Sequence, residues 1–124
     1  MQLVFADSEV AGIDALGDGL RVRFAAAAVE PSGGSGEAGY LLDFDLLLQG
    51  ATWTGDPAAC FGRLVDGWLS DSVSRLTRLE LPFDGPGPWD AVFVFPHGVQ
   101  LAARASHVTA VPRGDQRFRP SYAC

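Results

Sequence analysis

The sequence predicts a mainly β protein, an antiparallel β-sandwich or partly open barrel of about eight short strands, with room for one short helix within 57–76. Three observations predict it. Apolar residues alternate with polar ones at period two, as where Leu79, Leu81 and Phe83 alternate with Arg78 and Glu80. Turn residues punctuate the chain at intervals of roughly ten residues. One stretch, Trp89 to Val111, has the form of a hairpin, and no internal repeat competes with this reading.

In chain order, Val10 to Glu30 reads as a first hairpin. A two-residue Asp18-Gly19 loop sets Asp14 opposite Arg23, Ala15 opposite Val22 and Ile13 opposite Phe24, whereas a three-residue loop would set Asp14 against Val22 and mix the faces. Pro31 to Gly39, PSGGSGEAG, is a mobile surface loop by composition. Tyr40 to Trp53 is a long strand with Leu42, Phe44, Leu46 and Leu48 on one face and a bend or bulge at Gln49-Gly50. Folding it back on the preceding strand sets Arg23 opposite Asp43 and Arg21 opposite Asp45. The result is a meander with one apolar and one charged face.

Asp56 to Leu79 carries apolar residues at helical spacing, but Gly62 and Gly67 would each cost a helix interior about 1 kcal/mol. A short helical turn near Pro57 to Phe61, then strands around Arg63–Leu69 and Leu76–Phe83, fits better. Asp56-Pro57 suits an N-cap followed by Pro. Asp84 to Trp89, DGPGPW, reads as a stiff loop.

The central hairpin follows. Asp90 to Phe95 is one strand, Pro96-His97-Gly98 the turn and Val99 to Ala105 the return, with Gly98 in the left-handed conformation that closes the loop. Phe95 then faces Val99, Phe93 faces Leu101 and Ala91 faces Ala103 on one side. Val94 meets Gln100, Val92 meets Ala102 and Asp90 meets Arg104 on the other. Because Val92 and Val94 are also apolar, both faces of the first strand are expected to be covered. His107 to Val111 is a further strand. Residues 1–112 form a single all-β domain, and 113–124 a C-terminal tail.

At 124 residues, with 48% hydrophobic and 19% charged residues, the chain is long enough for one domain with a real core. Its cations are all Arg, with no Lys or Asn and one Ile, a usage that points to a high-GC, bacterial genome. The net charge is −6, and residues 113–124 hold three Arg and one Asp, leaving −8 on residues 1–112. Such a surface argues against nucleic acid as a partner. The first residues lack a basic signal-peptide region, and no apolar run approaches the roughly 18 residues that span a bilayer. Two cysteines, Cys60 and Cys124, make neither a disulfide framework nor a metal spacing. A cytoplasmic protein with reduced thiols is expected.

The sequence offers few candidates for chemistry. Asp43 and Asp45 project two carboxylates from one strand face, but without a third ligand they read as a charge ladder with Arg21 and Arg23. His97 lies in a turn, and His107, after Ser106, lacks a nucleophile signature and a predicted partner to orient it. Cys60 reads as a packed side chain and Cys124 as a mobile terminal thiol. The tail's Arg with Phe118 and Tyr122 could stack on a single strand, but packing on the chain's own acidic surface fits better. Arg113-Gly114-Asp115 is a chance tripeptide. Tyr40, Trp53, Trp68 and Trp89 lie near strand ends and, converging at one barrel mouth, would line a ligand pocket.

No catalytic constellation, cofactor motif or metal set emerges. The leading expectation is therefore a non-enzymatic protein-interaction domain with an acidic surface, inhibitor- or immunity-like, with Asp43 and Asp45 as interaction residues. Its partner would be a protein, and a homodimer is compatible with the pattern. The alternative is a small-molecule-binding β-barrel with an aromatic-lined pocket.

Overall fold

The computed structural model describes residues 1–34 and 36–120, with the side chains of residues 112–117 outside that description. Within it the chain is antiparallel β throughout. The strands are β1 (Gln2–Leu16), β2 (Gly19–Glu30), β3 (Gly39–Gln49), β4 (Thr52–Thr54), β5 (Gly62–Arg63), β6 (Asp66–Ser70), β7 (Arg75–Leu76), β8 (Arg78–Glu80), β9 (Asp84–Val94) and β10 (Gln100–Pro120). Helical geometry among the described residues is confined to 3-10 turns at Ser32–Gly34, Pro57–Ala59 and Pro96–Gly98.

The strands join into one curled sheet of order β5-β1-β2-β3-β10-β9-β6-β7, with β8 also on β1 and β4 on β10. The chain itself draws the two ends of this sheet together. β5 pairs with β1, and a few residues later Val65 N–H donates to the Val94 carbonyl at 2.8 Å as β6 takes its place beside β9. Further on, β7 pairs with β6 through Leu69 and Leu76, and β8 returns to β1 through Leu3 and Leu79. The result is a partly open barrel whose seam is stitched in two places.

Curvature comes from breaks in the alternation. Inward residues step by two along each strand except at one or two positions, where they step by three: Phe5 to Ser8 in β1, Phe24 to Ala27 in β2, Leu41 to Phe44 in β3 and Ala105 to Val108 in β10. Asp7 and Asp43, with φ of 70° and 58°, sit inside two of these steps. An extra residue in one strand bends it and increases its twist, and repeating the device on neighbouring strands turns a sheet into a barrel. The interior is filled by Leu3, Phe5, Phe24, Phe44, Leu46, Phe93 and Leu101, all at most 2% exposed. Phe5 and Phe93 meet edge to face across it, with centroids 6.1 Å apart.

The central hairpin forms in the expected register, from Gln100 with Val94 to Arg104 with Asp90. His97 joins Gly98 at positive φ in its turn, at 64° and 78°. The segment 56–80 follows expectation in part: Asp56 accepts Ala58 N–H at 3.0 Å to cap the 3-10 turn, but each of the two expected strands is broken in two, as β5 and β6 and as β7 and β8, and residues 81–83 lie outside any strand. β3 and β4 flank the bend at Gly50 as expected, both lying against β10.

Four expectations change. The first hairpin turns at Gly17-Asp18, since Leu16 pairs with Gly19, which puts Asp14 opposite Arg21 and Ile13 opposite Val22. Positive φ is confined to Gly17, at 61°, the pattern of a turn with Gly in its first central position. The β2–β3 register moves by the same amount, so Arg23 faces Asp45 and Phe24 faces Phe44. Second, DGPGPW is strand: Asp84, Gly85 and Pro86 pair with Thr109, Val108 and His107. β6 covers β9 only from Asp90 to Val94, so the prolines lie where the strand has a single neighbour, and the β9–β10 register shifts beside them, between Ala105 and His107.

Third, Val99–Ala105 and His107–Val111 belong to one strand, β10, which runs through Pro112; residues 117–120 of the expected tail pair with residues 39–42 of β3. Cys124 and Tyr122 lie outside the described residues. Fourth, β9 is central in the sheet, but its outer face is only half-buried at Val92 and Val94.

Candidate functional site

The four aromatic residues expected at one mouth are distributed over the barrel. Trp53 on β4 sits opposite Ala103 and packs against the core. Trp89 also packs inward; its indole N–H donates to the Gly85 carbonyl at 3.1 Å, and its ring meets the edge of Phe83 at 5.8 Å. Trp68 lies beside Val92 on the outer face, with the Arg75 guanidinium 4.0 Å from its ring centroid. Tyr40 is at the far end of β3, between Ala28 and Arg119. Trp53 and Trp89 border two surface depressions of about 520 and 420 Å³ that share Asp90 and Arg104, and the second is also lined by Asp71.

The two aspartates of the expected ladder part company. Asp45 is only 5% exposed and faces Arg23, whose charge it helps to hold. Asp43 takes the left-handed φ and is half-buried. The network is completed by Asp14, which hydrogen-bonds Arg23 at 2.6 Å and Arg21 at 3.3 Å. These bonds hold the Asp14 carboxyl below its ordinary pKa, the Arg23 bond foremost, and raise the Arg23 pKa in turn. The charged face of the meander is therefore a ladder of Asp14, Arg21, Arg23 and Asp45. Burial removes Asp45 from the surface expected to meet a partner.

The histidines differ. His97 is exposed at its turn, as expected. His107 has a carboxylate partner that the sequence reading missed: its Nε2 hydrogen-bonds Asp84 Oδ1, and Thr109 Oγ1 donates to the same oxygen at 3.2 Å. The His107 bond holds the Asp84 carboxyl below its ordinary range. The imidazole is thus oriented, but Thr109 bonds the carboxylate and not the ring, and Ser106 donates to the Gln49 carbonyl at 3.0 Å. Among the described residues, no hydroxyl or thiol hydrogen-bonds the imidazole. A His–carboxylate pair without a nucleophile fixes a ring and a register, because it ties β9 to β10 where Asp84 pairs with Thr109. Its signal lay across 23 residues and was hidden while Asp84 was read as loop.

Cys60 is buried and donates to the Asp56 carbonyl at 3.3 Å; burial, then the Asp56 charge, pushes its thiol pKa up, the opposite of a reactive cysteine. Among the described residues, no group of three His, Cys, Asp or Glu side chains is placed to hold a metal ion. None of the helices among them is long and apolar enough to cross a membrane.

One further surface was not foreseen. Around β5, Cys60 and Leu64 point inward while Phe61, Arg63 and Val65 point out, leaving Phe61 64% and Val65 59% exposed. Two backbone bonds, Leu64 N–H to the Ser8 carbonyl at 2.9 Å and Asp7 N–H to the Leu64 carbonyl at 3.2 Å, bind this strip to β1. The available signal was the strand alternation itself, which puts Phe61 and Val65 on the face of a charged residue, Arg63.

Comparison with protein-family models, curated proteins and solved structures finds no match to this chain.

Proposed function

We propose that this chain is a non-enzymatic protein-interaction domain that works at its outer surface, in the cytoplasm, on a partner of opposite charge. The observation that carries this reading is the filled barrel. Phe5, Phe24, Phe44 and Phe93 occupy its interior at most 2% exposed, so recognition falls to the outside. The distribution of Tyr40, Trp53, Trp68 and Trp89 supports the same choice over an aromatic-lined pocket. A net charge of −6 favours a basic protein, because complementary charge steers encounter and rejects acidic competitors. An inhibitor- or immunity-like role, in which a small acidic domain covers a basic protein, is the form of this reading that best fits the composition.

The test is purification of the tagged full chain from its native host at low salt. A protein partner retained in stoichiometric amount and released as salt rises to physiological strength is the expected result. A small molecule released when the purified protein is denatured, with no protein partner, would overturn it.

A further inference from the structure

Resting on the reading of the chain as a protein-binding domain, we infer that its docking surface is the Phe61–Arg63–Val65 strip with the adjoining edge of β1, and that the occupant is a basic segment bearing apolar side chains. Residues two apart on an extended strand stand about 7 Å apart on one face, so Phe61 and Val65 flank Arg63 at the spacing of two shallow anchor points. Neither is an isolated exposed residue, because Arg63 lies between them and β1 lies alongside. Burying the exposed parts of two large apolar side chains is a favourable term that the free protein forgoes.

The rim names the chemistry of the occupant. Glu9 is exposed directly opposite Arg63, Asp7 lies next to Leu64 in the same pairing, and Asp66 follows Val65 on the outer side. Three carboxylates stand against one guanidinium, and that guanidinium reaches Asp7 only at 3.9 Å, with both side chains more than two-thirds exposed. Such a pair holds its charges weakly and leaves Glu9 to others, while the half-buried Asp66 already accepts the Gly67 N–H through one oxygen at 2.8 Å. An arginine- or lysine-bearing segment gains these carboxylates while its apolar side chains cover Phe61 and Val65. A second copy of this chain would bring the same excess of carboxylates against them, and like-charge juxtaposition opposes that pairing.

The experiment uses the isotopically labelled full chain and three short synthetic peptides: alternating Arg and Leu, alternating Glu and Leu, and alternating Arg and Ser. Amide shifts are mapped by NMR. The Arg–Leu peptide is expected to move resonances of residues 7–11 and 61–66, and to bind about fivefold or more tighter than the Arg–Ser peptide. The Glu–Leu peptide is expected to leave them unmoved. Phe61→Ser/Val65→Ser should weaken the Arg–Leu peptide by about fivefold or more, and Asp7→Asn/Glu9→Gln by about twofold or more at low salt. All four positions are exposed, and unchanged unfolding midpoints would show that the variants fold.

Three results would overturn the inference: no shifts at these residues, unchanged affinity in both double variants, or a concentration-dependent dimer abolished by Phe61→Ser/Val65→Ser. Shifts that map instead to the Trp68–Val92 face would overturn this surface and leave the protein-binding reading standing. That reading fails separately, if the purified chain carries a small molecule and no protein partner.

Discussion

Ser8 Oγ accepts the backbone N–H of Ala28 at 2.8 Å, at the point where β1 and β2 lose register between Val4 and Glu9. The same hydroxyl donates to the Val4 carbonyl at 2.7 Å. A bulge leaves ladder groups without partners, and here a fully buried side chain supplies them. Ser8→Ala keeps the volume nearly constant but strands the backbone groups of two half-buried residues, Val4 and Ala28. A loss of about 1–3 kcal/mol is expected in urea unfolding, with an unchanged denaturant slope.

Two glycines two residues apart should respond in opposite ways. Gly17 carries a φ of 61° with open space where a side chain would project, so Gly17→Asn should cost less than about 1 kcal/mol and Gly17→Val more. A Cβ on Gly19 would lie 2.1 Å from the Leu48 carbonyl oxygen, which forces β2 and β3 apart. Gly19→Ala should cost about 2 kcal/mol or more. Paired thermal unfolding curves of the variants check the contrast.

Asp45 and Asp43 should likewise separate. Asp45 is buried against Arg23, and Asp45→Ala should cost about 1–3 kcal/mol. Asp43→Asn suits a left-handed position and should stay within about 0.5 kcal/mol. Calorimetric titration with Ca²⁺, Mg²⁺ and Mn²⁺ should show no binding at the two residues. Micromolar binding lost in Asp43→Asn would contradict the ladder.

Acid stability follows from Asp14 and Asp84, whose folded pKa values both lie below the ordinary one, held by Arg23 and His107 respectively. Each favours the folded state above the unfolded pKa, and that contribution disappears as pH falls through the folded value. Stability should therefore begin to fall near about pH 4 and continue downward. Asp14→Asn should make the acid limb shallower, as read from urea midpoints across pH. An acid limb identical to wild type would refute the role of Asp14.

What the sequence disclosed depended on whether local pattern was sufficient. The Pro96-His97-Gly98 turn pins the β9–β10 register because the turn residues and both strand patterns agree. In β1–β2 and β2–β3 the faces were legible up to the bulges and the register was not; past Asp43 the inward residue is Leu41 in place of the expected Leu42, because the extra residue switches the face. A slip of two positions leaves every side chain on its own face, and no periodicity can detect it. DGPGPW was misread because Pro and Gly signal loops, whereas here they occupy a strand with one open side. The His107–Asp84 pair and the Phe61–Val65 strip depend on long-range pairing, which composition does not record.

The stitched seam has a kinetic consequence. β1 and β2 meet through a tight local turn, but Leu3 reaches Leu79 only after nearly two-thirds of the chain has been placed. Loop-closure entropy makes so distant a pairing the slow, late event, after the meander and the β9–β10 hairpin have formed independently. Until the barrel closes, the inner faces of both ends stand open to water. The same short strands that complete the barrel are thus its last line of defence against association during folding.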